Sequence, residues 1–491
     1  MRRAVYHAIS VLALCMATAV ALSAQTFTTL FSFDGTDGLE PYAALVQGVD
    51  GDLYGTTIYG GAHNFGTVFK ITRGGALTTL HSFCAQSGCT DGQEPGGLVL
   101  APNGDFYGTA GGGAYRSGTL FNITPNGKFT TLYSFCAHGG PYCPDGSAPN
   151  GLVTAPNGDL YGTTSSGGTP SSDNRCYGGC GTVFKLAAGG TLTTLYRFCV
   201  QAGCPDGAEP NGLAQSPDGD FYGATYGGGA GGSGAIFKIS PGGKLDTLYS
   251  FCTQAGCPDG YNPAAGLVQA LDGDFYGTTY RGGSNGYGTI FKVSQSGALT
   301  TLHNFCEQSG CADGAAPYAR LMPATDGNLY GTTLSGGDGN GGTVFEITPG
   351  GALTTLHSFC AQSACVPGPN VQGSLIQATS GDIYGTTLFG GPVREVCQHL
   401  GCGTFFRLAG GLTSFVKTLP HSSRVGTTIR ILGTNLSGAY GVLFNGAPAE
   451  FTPISDTEIS TVVPVGATTG KIKIVTPAGV IFSGGPFFID P

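Results

Sequence analysis

Asp52-Leu53-Tyr54-Gly55-Thr56-Thr57 is the first of seven copies of one phrase: Asp or Asn, an apolar residue, Tyr-Gly, and usually two threonines. The tyrosines are Tyr54, Tyr107, Tyr161, Tyr222, Tyr276, Tyr330 and Tyr384, spaced 53, 54, 61, 54, 54 and 54 residues apart. A fixed period of this size marks a repeat architecture, in which each unit buries its apolar face only against its neighbours.

The second unit reads as four strands. Gly97–Ala101 is a short apolar run, Asp105–Thr109 carries the repeated phrase, and Gly118–Ile123 and Phe129–Phe135 follow. Pro102-Asn103-Gly104 and Pro125-Asn126-Gly127 separate two of these junctions, and such Asn-Gly pairs between β-rich runs are hairpin signals. Four strands in about 54 residues is the size of one propeller blade, whereas the rungs of a β-solenoid are shorter and carry no pair of hairpins. The chain opens with a fourth-strand phrase, Thr28–Phe33, that has no unit before it. The last unit stops at a third-strand phrase, Gly403–Leu408. Pairing the two completes a seventh blade and removes an exposed sheet edge. The expectation is an all-β chain whose residues 26–411 form a seven-bladed β-propeller of four-stranded antiparallel blades, the N-terminal strand closing the last.

Alternating hairpins sort the connections onto two faces. Tight turns such as Arg73-Gly74-Gly75 fall on one, and long connections such as Cys84 to Pro95 and Gly111 to Ser117 on the other. Loops held by a rigid scaffold carry function, so binding is expected on the long-loop face.

Charged residues make up 10% of the chain and the net charge is -9. Nucleic-acid phosphates require a basic face, so a nucleic-acid partner is not expected. Residues 1–24 read as a secretory signal peptide: Arg2 and Arg3, an apolar run from Ala8 to Leu22, then Ser23-Ala24. No other apolar run has the length of a span, so no membrane span is expected in the mature chain, and its place is secreted or at the cell surface.

Of 17 cysteines, all but Cys15 fall into close pairs: Cys84/Cys89, Cys136/Cys143, Cys176/Cys180, Cys199/Cys204, Cys252/Cys257, Cys306/Cys311, Cys360/Cys365 and Cys397/Cys402. An even count in an exported chain reads as disulfides. Zinc is the rival, but it favours four clustered ligands, often with His, and no His recurs beside the pairs.

Residues 412–491 leave the repeat. Thr428–Leu432 and Lys471–Val475 alternate polar and apolar residues as sandwich strands do. The run Val425-Gly426-Thr427-Thr428-Ile429-Arg430-Ile431-Leu432-Gly433-Thr434-Asn435-Leu436 resembles the opening of an IPT/TIG domain, which implies an immunoglobulin-like β-sandwich and extracellular protein or carbohydrate contact. The seven units, with Leu-Tyr-Gly-Thr-Thr, Gly-Thr-Val-Phe-Lys-Ile and Leu-Thr-Thr-Leu-His-Ser-Phe, are similar to the GloVer tandem repeats of exported "choice-of-anchor" bacterial proteins. That resemblance implies no established reaction.

Candidate chemistry is sparse. Asp37, Asp91, Asp145, Asp206, Asp259 and Asp313 follow the loop cysteines in Asp-Gly pairs. Asp52, Asp105, Asp159, Asp220, Asp274 and Asp382 open the repeated phrase. Both series read as turn formers; calcium needs several converging oxygens, and each loop offers one or two. No cofactor is expected, calcium being the one candidate. His81, His303 and His357 share a slot that other units fill with Phe31, Tyr133, Tyr196 and Tyr249, which marks packing rather than catalysis. No Gly-x-Ser-x-Gly or His-Glu-x-x-His motif stands out, and Gly227–Gly234 lacks the Lys of a phosphate loop. The binding candidates are the long-loop aromatics Tyr59, Tyr115, Tyr142, Tyr177, Tyr226, Tyr280, Tyr287 and Phe389, with Arg394, Glu395 and His399 of the seventh loop. The function expected is a non-catalytic binding or cell-surface interaction protein meeting an extracellular protein or polysaccharide. The alternatives are a polysaccharide-active lyase or glycoside hydrolase, and a structural envelope component.

Overall fold

In the computed structural model the described residues are 25–490, apart from 138, 140–141, 169–175, 177, 362–369 and 398–399. The signal segment 1–24, Tyr177, Cys365 and His399 lie outside them. The protein is all-β, built mainly of four-stranded antiparallel sheets. Six sheets are each formed within one repeat. In the second unit the strands are Gln93–Leu100, Phe106–Gly111, Thr119–Ile123 and Phe129–Ser134. The seventh sheet joins the two ends of the repeat region. Thr26–Ser32 lies antiparallel to Thr404–Ala409, from Thr26 opposite Ala409 to Ser32 opposite Thr404, with a register shift between Thr29 and Phe31. Ile383–Thr387 and Ile376–Gln377 complete it.

Each residue of the repeated phrase has a packing role. Tyr54 is fully buried and stacks on Phe106 of the next unit, ring centroids 4.1 Å apart. Tyr161 meets Phe221 at 4.3 Å and Tyr222 meets Phe275 at 4.1 Å in the same way. The glycine passes beneath the third-strand Phe of its own sheet: a Cβ on Gly55 would stand 2.6 Å from Phe69 Cζ. The second threonine bridges two strands, as Thr57 Oγ1 does to Thr67 Oγ1 at 2.9 Å. The first reaches across to the following unit, where Thr56 Oγ1 donates to the Gly96 carbonyl at 2.8 Å.

Neighbouring sheets share apolar cores, and the seventh unit meets the first as earlier units meet each other. Leu45, Leu53, Phe69 and Ile71 pack with Tyr384, Phe405 and Phe33, just as Tyr54, Val68 and Phe83 pack with Leu98, Phe106 and Phe121. Thr386 Oγ1 donates to the Pro41 carbonyl at 3.1 Å. Gln47 and Thr379 exchange two hydrogen bonds, at 3.1 and 3.0 Å. Gln377 and Thr325 repeat that exchange between the sixth and seventh units.

Beyond the repeats, Lys417–Leu419, Thr428–Leu432, Glu458–Val462 and Phe451–Pro453 form one sheet. Ala447–Pro448, Gly441–Phe444, Ile472–Thr476 and Gly479–Phe482 form another. Ile429, Ile431 and Ile459 from the first share one core with Val442, Phe444, Ile472 and Ile474 from the second. This unit is seated on the tight-turn face of the repeats: Thr457 Oγ1 donates to the Val49 carbonyl at 2.8 Å and Thr379 Oγ1 to the Gly433 carbonyl at 3.1 Å.

Candidate functional site

Disulfides join Cys84–Cys89, Cys136–Cys143, Cys176–Cys180, Cys199–Cys204, Cys252–Cys257, Cys306–Cys311 and Cys397–Cys402, each within its own loop. Cys180, Cys199 and Cys204 bring their sulfurs within 4.8 Å of one another, so two of these bridges lie side by side.

The loop aspartates hold these loops in place. Asp313 is fully buried and accepts from His303 Nε2 at 3.0 Å, Glu307 N at 3.1 Å and Gln308 N at 3.3 Å. Asp91 does the same for His81 and Ala85. Where the slot holds tyrosine, its hydroxyl donates instead, as Tyr133 does to Asp145 at 2.9 Å and Tyr249 to Asp259 at 2.9 Å. His and Tyr therefore share the slot because both present a donor to the loop acid, a role beyond simple packing. Asp313→Ala removes the acceptor of three donors, one of them the half-buried His303 ring, and is expected to destabilise the protein by about 2 kcal/mol, read by urea denaturation. The second acidic series also has partners. Lys70 pairs with Asp50 and Asp52 at 2.6 and 2.9 Å, and Lys238 and Lys292 make equivalent pairs. In four units the tight turn is thus braced by the lysine of the third strand.

A second ring of unusual residues stands where each long connection enters its first strand. Glu40, Glu94, Ala148, Glu209, Asn262, Ala316 and Asn370 all have left-handed backbone, with φ between 47° and 59°. Six of them precede proline. A side chain in that conformation costs about 1–2 kcal/mol, recovered from bonds the conformation allows. The Glu94, Ala148, Glu209, Asn262 and Ala316 amides each donate, at 2.8 Å, to a carbonyl of the preceding unit. The ring thereby locks the mouth of one unit to the loop of the last.

Just past this ring four half-buried tyrosines converge from four units. Tyr318 meets Tyr280 edge to face at 5.7 Å and Tyr42 at 6.5 Å. Tyr226 is the fourth; burial raises its pKa first, then the nearby Tyr318 and Tyr280 hydroxyls and Glu209. Burial, followed by Tyr318, raises that of Tyr42. The Arg281 guanidinium lies 5.0 Å from the centre of the Tyr280 ring. The Tyr42 and Tyr226 phenols therefore stay protonated at physiological pH, and the four side chains together offer ring faces with hydroxyls able to donate and accept. That combination suits a sugar ring or a peptide side chain.

Of the residues proposed from sequence, Tyr226 and Tyr280 belong to this cluster. Tyr59 stands apart, 37% exposed, near Glu94 and Glu40, whose charges raise its pKa. Tyr115, Tyr142 and Tyr287 are exposed on their own loops. The Phe389 carbonyl accepts from Thr387 Oγ1. Arg394 and Glu395 are exposed beside Cys397, and among the described residues neither bonds to a tyrosine of the cluster. Sequence reading missed Tyr42 and Tyr318. Both sit two residues after a left-handed position, in Glu40-Pro41-Tyr42 and Ala316-Pro317-Tyr318, and that shared pattern was the available signal.

Fold and loops together define a disulfide-stapled tandem-repeat β protein; such disulfides fit an extracellular location. The family model for the Gloeobacter/Verrucomicrobia repeat matches residues 16–173 and 172–397, and the chain belongs to that family. No curated protein sequence matches it. Among solved structures it is similar to a fungal alcohol oxidase of the AA5 family in complex with copper, at 14% identity, TM-score 0.52, covering 95% of this chain and 100% of that one. It is also similar to PorZ, a surface component of the type-IX secretion system of Porphyromonas gingivalis, at 12% identity, TM-score 0.47, covering 94% of this chain and 61% of that one. The first likeness is one of overall fold. Among the described residues no helix is long and apolar enough to cross a membrane.

Proposed function

We propose that this chain is an exported binding protein: a closed seven-bladed β-propeller over residues 26–411 followed by an immunoglobulin-like sandwich of IPT/TIG type over 412–491. Contact with an extracellular polysaccharide or protein is through the long-loop face. Seven successive four-stranded units support the ring, as do the pairing of Thr26–Ser32 with Thr404–Ala409 and the Thr386–Pro41 and Gln47–Thr379 bonds between the last unit and the first. The sandwich occupies the tight-turn face. The observation that carries the reading is the convergence of Tyr42, Tyr226, Tyr280 and Tyr318 at one mouth of the first strands.

A panel of soluble polysaccharides tested by calorimetry against the mature chain checks it. Saturable binding is expected, weakened at least tenfold by Tyr318→Ala or Tyr280→Ala and unchanged by Tyr440→Ala, an exposed tyrosine of the sandwich. Release of shortened sugars would instead favour a polysaccharide-active enzyme. Burial raises the Glu40 pKa, which makes Glu40 the first acid to replace in that event. Binding unaffected by either tyrosine change would overturn the assignment of the site.

A further inference from the structure

On the opposite face, the sandwich does not close flush against the repeats. A cavity of about 910 Å³ separates them, lined by Lys417 and Phe415 from the sandwich side and by Gln269, Leu271, Thr325 and Gln377 from the repeats. A second, of about 480 Å³, adjoins it and is lined by Arg320; Gln269, Thr418 and His421 border both.

Two cations line this pair of cavities, Lys417 the larger and Arg320 the smaller. Lys417 Nζ donates to the Gln377 carbonyl at 3.2 Å and lies 5.5 Å from the Phe415 ring centre. Arg320 donates through Nε and Nη2 to the single carbonyl of Leu267, at 3.0 and 2.6 Å. Among the described residues no carboxylate pairs with either. This breaks the pattern of the tight-turn face, where Lys70, Lys185, Lys238 and Lys292 each pair with a turn aspartate. The two aspartates that border the larger cavity, Asp218 and Asp272, are held by Lys238 and Lys292. Arg320 is also singular within the repeat. It precedes the leucine that packs over the Tyr-Gly-Thr glycine, where the other units have Ala44, Gly97, Gly151, Gly212, Gly266 and Ser374.

A desolvated cation with donors to spare is costly unless an anion joins it. Lys417 uses one of its three donors and Arg320 two of its five. The lining adds side-chain amides, hydroxyls and apolar walls, in a volume that suits a ligand of drug or disaccharide size. We infer that these two adjoining inter-unit cavities bind a carboxylate-bearing small ligand, with Lys417 supplying an anion contact in the larger and Arg320 one in the smaller. The site is independent of the tyrosine cluster and of the function proposed for it.

The test is calorimetry on the intact mature chain with two carboxylates, digalacturonate and decanoate, each beside its methyl ester. At least one carboxylate is expected to bind. Lys417→Met and Arg320→Met should each weaken it tenfold or more, with Arg320→Lys retaining more affinity than Arg320→Met. Lys244→Met, an exposed lysine, should leave it unchanged. Burial holds the Lys417 pKa down to about 8, and an arriving anion raises it, so binding at pH 8–9 should take up a proton. Heats measured in buffers of different ionisation enthalpy report that uptake. Thermal melts establish which variants are folded, and the proton uptake tests the site without any substitution. Preference for one carboxylate identifies the ligand body as sugar or aliphatic. Absence of binding to both, equal binding of the esters, or folded variants with unchanged affinity would overturn the inference.

Discussion

Removing residues 25–33 should abolish the cooperative thermal transition of the whole repeat region, although only the first strand is lost. That strand supplies the outer edge of the seventh sheet and much of what covers it. Phe27 stacks on His357 of the sixth unit at 3.8 Å and meets Phe406 at 5.0 Å. Phe33, 1% exposed, packs edge to face on Phe69 of the first unit at 5.3 Å. Losing the apolar contacts of Phe27, Leu30, Phe31 and Phe33 costs about 1–2 kcal/mol each, a sum that approaches the stability of a whole domain. Thr404–Ala409 would be left as an unpaired edge, a template for aggregation. A single substitution isolates the joint: Phe33→Ala is expected to cost about 4 kcal/mol by urea denaturation. A truncated chain that melted as sharply as the full one would show the strand to be dispensable.

Lys417→Met should act in the opposite direction and stabilise the protein at neutral pH. Burial lowers the Lys417 pKa from 10.5 to about 8 in the folded state. Below pH 8 the amine is charged folded and unfolded alike, and folding bears the full cost of burying it. Between pH 8 and 10.5 the unfolded chain binds the extra proton, so stability rises with pH. Above 10.5 the cost is gone. At 1.36 kcal/mol per pKa unit the penalty at pH 7 is about 3 kcal/mol. The methionine variant should therefore melt higher at pH 7, with the advantage fading as pH climbs through 8 to 10.5. Calorimetric scans at pH 7, 9 and 10.5 check it; an advantage constant across that range would mean packing, not charge, was responsible.

The periodic part of this fold was legible because each word of the repeat answers to one local contact. Tyr54 needs the apolar residue at Phe106, Gly55 needs room under Phe69, and Thr57 needs Thr67 across the strand. All three recur at fixed offsets, as do most of the cysteine pairs. The tyrosine cluster was harder to see. Tyr42, Tyr226, Tyr280 and Tyr318 come from four units up to 276 residues apart and meet only once the sheets are side by side. Tyr226 and Tyr280 stood out as loop aromatics, while Tyr42 and Tyr318 sit within first-strand entries, outside the connections that drew attention. The pairing of turn aspartates with third-strand lysines went unnoticed because the partners are 18 to 26 residues apart and no local rule joins them. Lys417 was invisible for a simpler reason. It lies just past the end of the repeats with no motif around it, and only the seating of one unit on another reveals that it lines a cavity.

Every crosslink described above closes within a single connection, its two cysteines no more than seven residues apart. None stitches one unit to the next. A mild reductant should loosen the fingertips of this molecule while the palm stays rigid. Each fingertip can then be recut on its own, which makes the chain a natural frame for displaying exchanged peptide segments.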